Sequence, residues 1–238
     1  MISGSELAAI VGTKSMTSFP KIKAILYDMD GLLLDTENFY TDVTQQIVSR
    51  YGKNFDWSIK SQMLGRPAFE SARTLVRVLE LPIQPEDYLS EREALLNQRF
   101  PEAEAMPGAI ELTQRMKMAG VPQAVATSST KEAYTLKTTK HQKWFAEFDA
   151  IVTGDHPDIQ NGKPAPDIFL VAARKLGVAP NECLVFEDAP AGVEAARAAG
   201  ISVVVVPDPQ MDQKLVKDAD LKLNSLQEFE PSDWSLPN

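Results

Sequence analysis

The sequence predicts an α/β protein: a doubly wound, mostly parallel sheet with helices on both faces and an all-helical insertion after the first strand. Three observations carry this. Apolar runs rich in Val, Ile and Leu alternate with helical segments, the pattern of parallel strands buried on both sides. Each run ends in polar or acidic residues, as strands do where an open α/β sheet binds its ligand. Between Thr36 and Ala105 the alternation stops and successive helices follow.

Residues 1–20 hold only one short apolar run at 7–11, include Glu6 and lack arginine, which supports neither a secretory signal nor a transit peptide. A disordered leader is expected there, with Met16 as an alternative start. The first strand opens at Lys21 in KIKAILYDMDGLLLDTE and runs into Asp28, Asp30 and Gly31. Two carboxylates two residues apart suit a nucleophile beside a proton carrier, and a hard cation such as Mg²⁺ takes oxygen ligands of this kind. The competing reading is an ordinary turn, since Asp and Gly are common turn formers. A calcium loop is disfavoured because Leu32, Leu33 and Leu34 follow Gly31 where oxygen ligands would alternate.

The insertion, residues 36–105, reads as helices punctuated by Tyr51-Gly52, Gly65-Arg66-Pro67 and Leu81-Pro82. Beyond it, a helix is expected at 107–118 and a strand at 121–126 leading into Thr127, Ser128 and Ser129. A helix at 131–141 follows, then a strand at 150–152 and a loop carrying Lys163 between Gly162 and Pro164. Helix 167–176 stops at Gly177, strand 182–186 leads into Glu187 and Asp188, and helix 191–199 stops at Gly200. A hydroxyl, a lysine and a second acidic pair are the groups that hold a phosphoryl oxygen, offset its charge and complete a metal site.

The four segments DMDG, ATSS, GKPAPD and FEDAPAGVEAA, in this order, resemble the motifs of the haloacid dehalogenase superfamily. Over about residues 21–237 the chain is similar to its Mg²⁺-dependent phosphatases with a helical cap, most closely the eukaryotic pseudouridine-5'-phosphatases and the plant-type glycerol-3-phosphatases. The stretches ILYDMDGLLLDTENFYT, GKPAPDIFLVAA and CLVFEDAPAGVEAA and the tail from Leu223 carry that closer resemblance. It implies a Rossmann-like core over 21–35 and 106–238 and a cap domain over 36–105. The hinges fall at Asp35 to Asn38 and at Ala105 to Pro107.

The resemblance also implies roles. Asp28 is the expected nucleophile, forming an aspartyl-phosphate, and Asp30 the general acid and base. Mg²⁺ is expected on the Asp28 carboxylate, the Asp30 backbone carbonyl and Asp188, with Glu187 either at the ion or in a supporting role; its competing reading is an acid at a helix start. Thr127 and Lys163 are expected on the phosphoryl group, with Ser128 beside them. Thr127 read alone is equally a helix cap, and Lys163 read alone a solvated loop lysine. Arg66, in a cap loop, is the candidate contact to the leaving group, against the plain reading of a surface arginine. The helix carrying Lys137 and His141 belongs to the closer resemblance, with no chemistry assigned to it.

Composition narrows the partners. The chain has 238 residues, 44% hydrophobic, enough for one large core and a smaller satellite. A net charge of −9 argues against nucleic acid, whose binding relies on clustered Lys and Arg. No apolar run approaches the roughly 18 residues of a membrane span. The single cysteine, Cys183, lies in an apolar run and is expected buried; with no intrachain disulfide to form, a reducing, cytoplasmic setting is expected. His141 and His156 are not spaced as metal ligands, and Trp234 is expected to anchor the tail by packing.

The expected function is therefore a phosphomonoesterase acting on a small phosphorylated metabolite, with pseudouridine 5'-phosphate ahead of glycerol 3-phosphate or a sugar phosphate. Phe39, Tyr40 or Phe69 could face a uracil ring. A phosphosugar mutase is second, because the related β-phosphoglucomutases carry a hinge histidine where this chain has Phe39 and Tyr40. A phosphonatase, which typically lacks the second aspartate, and a non-catalytic phosphate-binding regulator come last. A monomer suits a cap that must move.

Overall fold

The computed structural model describes residues 21–63 and 68–237; the expected leader, the Met16 start and Arg66 lie outside them. Among the described residues six strands form one sheet: β1 (Ala24–Tyr27), β2 (Gln123–Ala126), β3 (Ala150–Val152), β4 (Cys183–Glu187), β5 (Ser202–Val205) and β6 (Leu221–Lys222). Their order is β3-β2-β1-β4-β5-β6 and every pairing is parallel. The sheet is thus wholly parallel where a mostly parallel one was expected, and β5 and β6 extend it beyond the four strands read above.

Alternation along each strand sorts its side chains onto two faces. Ile25, Tyr27, Leu184, Phe186 and Val204 pack on one face with Leu112, Met116, Trp144 and the tail residues Phe229 and Trp234. Leu26, Ala124, Cys183, Val185 and Val203 pack on the other with Phe169, Ala172 and Val193. Trp234 is fully buried, as a tail anchor should be, and burial pushes the Cys183 thiol up to about 11, with Glu182 adding to it.

The helices on these faces are α5 (Ala109–Met118), α6 (Lys131–Lys137), α7 (Gln142–Phe145), α8 (Asp167–Leu176) and α9 (Pro190–Ala198). Two of the expected helices differ by two residues or more, for local reasons. α5 starts two residues late because Gly108 adopts φ +81°, and a Cβ there would lie 2.7 Å from the Gln227 backbone. The helix expected over 131–141 stops at Lys137, where the Thr138 hydroxyl bonds back to the Tyr134 carbonyl at 2.9 Å and a 3₁₀ turn, Thr139–His141, follows. Gly177 and Gly200 stop their helices with φ of +67° and +70°.

Between β1 and β2 lie α1 (Glu37–Ser49), α2 (Trp57–Lys60), α3 (Ala68–Val78) and α4 (Pro85–Arg99), closed by the 3₁₀ turn Phe100–Glu102. They share a cluster of their own, including Val43, Ile47, Leu75, Tyr88, Leu96 and Phe100. No helix among the described residues is long and apolar enough to cross a membrane.

Candidate active site

Strand register places the polar residues together. Tyr27 lies opposite both Val125 and Phe186, so one step further along the chain Asp28, Ala126 and Glu187 reach the same sheet edge. From β1 the chain moves outward through β2 and β3 and then crosses to β4, which makes the β1–β4 gap the switch point of the sheet. A cleft of about 800 Å³ opens there, lined by Asp28, Asp30, Ser128, Lys163, Glu187 and Asp188 among others.

Lys163 is the hub of this edge. Its ammonium bonds the Asp28 carboxylate, Glu187 Oε1 at 2.7 Å and the Ala126 carbonyl at 3.2 Å, and it lies 4.8 Å from the Phe169 ring centre. The side chain is 7% exposed, so the reading as a solvated loop lysine is set aside. Glu187 turns its other oxygen to the backbone N–H groups of Asp188 and Ala189, at 2.9 and 3.0 Å, ahead of α9. One side chain thus serves both as a helix-start acid and as a member of the acidic cluster. Gly192 makes room for it: a Cβ there would sit 1.7 Å from Glu187 Oε1.

Asp28, Glu187 and Asp188 present oxygens within 4.8 Å of one another. Burial first, then the Glu187 and Asp30 charges, push the Asp28 carboxyl up to about 7 against the pull of Lys163. Asp188 is raised well above the usual range by burial and by the Glu187, Asp28 and Glu37 charges. Among the described residues three acids share one lysine, a set of hard oxygen donors short of positive charge. Gly31, at φ +79°, leaves the approach to them open, since a Cβ there would be 2.4 Å from Asp188 Oδ2. The cluster therefore fits a divalent cation held by Asp28 and Asp188, with Glu187 beside them.

Asp30 has a separate set of partners. Its Oδ1 accepts from the Thr36 hydroxyl at 2.6 Å and from the Lys137 ammonium at 2.5 Å, and its Oδ2 from the Ser129 hydroxyl at 2.9 Å. Burial alone would raise this carboxyl, but the Lys137 charge and these hydrogen bonds hold it below the usual range. The Thr127 hydroxyl accepts from the Ser129 backbone N–H at 3.0 Å and makes a long 3.4 Å contact to Asp30. The helix-cap role weighed for Thr127 falls to Thr130, whose hydroxyl accepts from the Ala133 N–H. Ser128 is exposed on the cleft wall.

A second cavity of about 330 Å³ adjoins this cleft, with Glu37 and Ala189 lining both. Tyr40, Thr41, Thr44, Lys60, Ser71 and Arg92 give it a polar wall, and Phe55 and Met63 an apolar one. Arg92 lies over the Tyr40 and Tyr88 rings at 5.8 and 5.7 Å, with its Nε buried and without a hydrogen-bond partner. Of the three aromatic residues expected to face a base, Tyr40 lines this cavity, whereas Phe39 packs against the cores and Phe69 is exposed. His141 bonds the Ala103 carbonyl, 38 residues away, at 2.9 Å, and the His156 ring accepts from the Asp158 N–H two residues on.

Comparison with known proteins follows the same lines. Residues 22–200 match the haloacid dehalogenase-like hydrolase family. The chain is 45% identical to (DL)-glycerol-3-phosphatase 2 of Arabidopsis thaliana, over 91% of this chain and 92% of that protein. It is 43% identical to a probable pseudouridine-5'-phosphatase of Drosophila melanogaster, over 91% and 95%. Among solved structures, a putative beta-phosphoglucomutase from Thermotoga maritima superposes with a TM-score of 0.69 at 30% identity, covering 85% of this chain and 94% of that one.

Proposed function

Because the chain belongs to the haloacid dehalogenase-like hydrolase family, we propose that it is a Mg²⁺-dependent phosphomonoesterase acting on a small phosphorylated metabolite, with pseudouridine 5'-phosphate as the substrate. The observation that carries this reading is the buried Asp28–Lys163–Glu187 constellation at the switch point, with Asp30 alongside on its own set of partners.

Asp28 attacks phosphorus while the bond to the leaving oxygen breaks; Asp30, held ionised in the free site, takes up a proton when the negative charge of the substrate enters and donates it to the leaving alkoxide. Asp30 then accepts a proton from the water that displaces phosphate from Asp28, which restores both carboxyl groups. Lys163 holds Asp28 in line and offsets the charge of the phosphoryl oxygens. Ser128, which lines the cleft, donates to one of them. When bound, Mg²⁺ supplies positive charge that draws an anionic substrate to an anionic nucleophile.

The 330 Å³ cavity is the proposed seat of the leaving group. That volume lies at the small end of the ~300–1,000 Å³ range of ligand pockets, and the combination of hydroxyls, two cations and Tyr40 suits a nucleoside with a polar base. Glycerol 3-phosphate is the second reading, favoured by the polar wall and by the name of the 45% identical relative. The helices between β1 and β2, with their own apolar cluster, are proposed to act as a cap domain that closes over this cavity. The lone buried Cys183 fits a reducing compartment, and the cytoplasm is the proposed location.

The test is phosphate release from pseudouridine 5'-phosphate, uridine 5'-phosphate, glycerol 3-phosphate and hexose phosphates, each with Mg²⁺ or EDTA. Mg²⁺-dependent turnover with pseudouridine 5'-phosphate preferred is the expected result. Preference for glycerol 3-phosphate selects the second reading, and no release from any of them removes the phosphatase. The metal has its own signature. Adding Mg²⁺ at about 100 times its Kd to EDTA-treated protein should stabilise it by about 2.7 kcal/mol, a rise in Tm of about 5–10 °C for a chain of this size. Asp188→Ala should lose that rise.

A further inference from the structure

Outside the four motif segments, one charged side chain among the described residues is buried against Asp30. Lys137 is the last residue of α6 and is only 1% exposed. A lysine is almost never buried to this degree unless it is paired, because its ammonium gives up hydration. Here that ammonium bonds Asp30 Oδ1 at 2.5 Å, Ser129 Oγ at 2.8 Å and the Tyr40 hydroxyl at 3.0 Å, and lies 4.4 Å from the centre of the Phe100 ring.

These partners come from both sides of the fold. Ser129 follows β2 and Asp30 follows β1, whereas Tyr40 belongs to α1 and Phe100 opens the turn by which the helical insertion ends. Thr36, which precedes α1, makes no cap bond to that helix and gives its hydroxyl to the same Asp30 oxygen as Lys137. The ammonium therefore sits where the two chain crossings between sheet and insertion meet Asp30. A point charge on a flexible stem with three donors suits such a junction better than a neutral donor would.

We propose that Lys137 is a positioning residue for the reaction, holding the Asp30 carboxylate in place and tying that placement to the helical insertion through Tyr40 and Phe100. The inference rests on Asp30 being the acid and base of the proposed phosphatase. Lys137 touches neither the nucleophile nor the acidic cluster in the contacts described above, so its loss should leave phosphoryl binding intact while both proton transfers slow.

The experiment pairs the best alkyl phosphate of the panel with p-nitrophenyl phosphate, whose phenolate leaves without a proton. Lys137→Met keeps the apolar stem and removes the charge. On the alkyl phosphate its kcat should fall about 30- to 300-fold, part of the 10²–10⁴ that acid–base catalysis contributes, with KM unchanged within about threefold. On p-nitrophenyl phosphate, transfer to Asp28 proceeds but hydrolysis of the aspartyl-phosphate does not keep pace. A burst of about one equivalent of nitrophenol per enzyme should then precede a slow steady state.

A kcat within twofold of the parent, or equal slowing of both substrates without a burst, overturns the proposal and leaves Lys137 a purely structural ion pair. If Lys137→Met does not fold, Ser129→Ala carries the test by removing a hydroxyl shared by Lys137 and Asp30. The same burst with a kcat lowered about 3- to 10-fold, the scale of one hydrogen bond, supports the proposal, and unchanged kinetics overturn it. Failure of the parent protein to turn over either substrate overturns the phosphatase reading itself, a different outcome from an active parent with indifferent variants.

Discussion

Asp28→Asn should reduce phosphatase turnover by at least about 10³-fold, the scale reached when a covalent nucleophile is removed from an enzyme that retains its other groups. The substitution is nearly isosteric. Its amide oxygen can still accept from Lys163, which also keeps Glu187 and the Ala126 carbonyl. It takes one acid out of a cluster in which three present oxygens within 4.8 Å, so the like-charge term that raises Asp188 is reduced. Melting temperature should therefore change by no more than about 4 °C, equivalent to roughly 1–2 kcal/mol in a chain of this size. Folded, metal-competent and inactive protein is the expected combination. Turnover within tenfold of the parent would move the nucleophile away from Asp28.

Most of this edge of the sheet is legible in the sequence because it is local. Asp28, Thr127, Glu187 and Asp188 each follow directly on an apolar run, and parallel register then brings the ends of those runs to one line. Lys163 is legible only through its motif, since a lysine in a long polar loop reads as solvated until the loop folds over Phe169. Glu187 reads as either a helix-start acid or a member of the cluster, and the fold uses its two oxygens for the two purposes.

What stays hidden depends on contacts between distant segments. Lys137 is 107 residues from Asp30, and its burial depends on α6 stopping where it does, at a threonine pair. Periodicity marks α6 as a helix but continues it through His141, which hides the end that aims this lysine. Lys60 and Arg92 come from α2 and α4, and nothing in either segment distinguishes them from surface cations. The cavity proposed for the leaving group is lined by residues spread across α1 to α4, so its polarity becomes visible only once those helices pack. Thr36 offers a weak signal: a hydroxyl directly before a helix predicts a cap, and the fold diverts it to Asp30.

Lys163→Met should combine the loss of turnover with the largest stability cost of any single substitution considered. Among the described residues Lys163 is the cation in contact with Asp28 and Glu187, whose side chains are 9% and 1% exposed. Removing it leaves both carboxylates in a buried setting without their counter-charge, a change that typically costs about 3–5 kcal/mol. The stem of Met fills much of the vacated volume against Phe169, so the cost is electrostatic and not a cavity term. Denaturation midpoints in urea, measured in EDTA, read this cost directly. The partner variant tests its origin. Adding Glu187→Gln keeps an oxygen for the Asp188 and Ala189 N–H groups while removing one stranded charge, so the double variant should recover about 1–3 kcal/mol relative to Lys163→Met alone. Mg²⁺ should also recover part of the loss, because a divalent cation offsets the charge that the lysine no longer meets. Turnover should still be at least about 10²-fold below the parent, since a cation on the metal side cannot replace the one proposed to hold Asp28 in line and offset the phosphoryl charge. A cost below about 1 kcal/mol would place the counter-charge of Asp28 and Glu187 elsewhere in the fold.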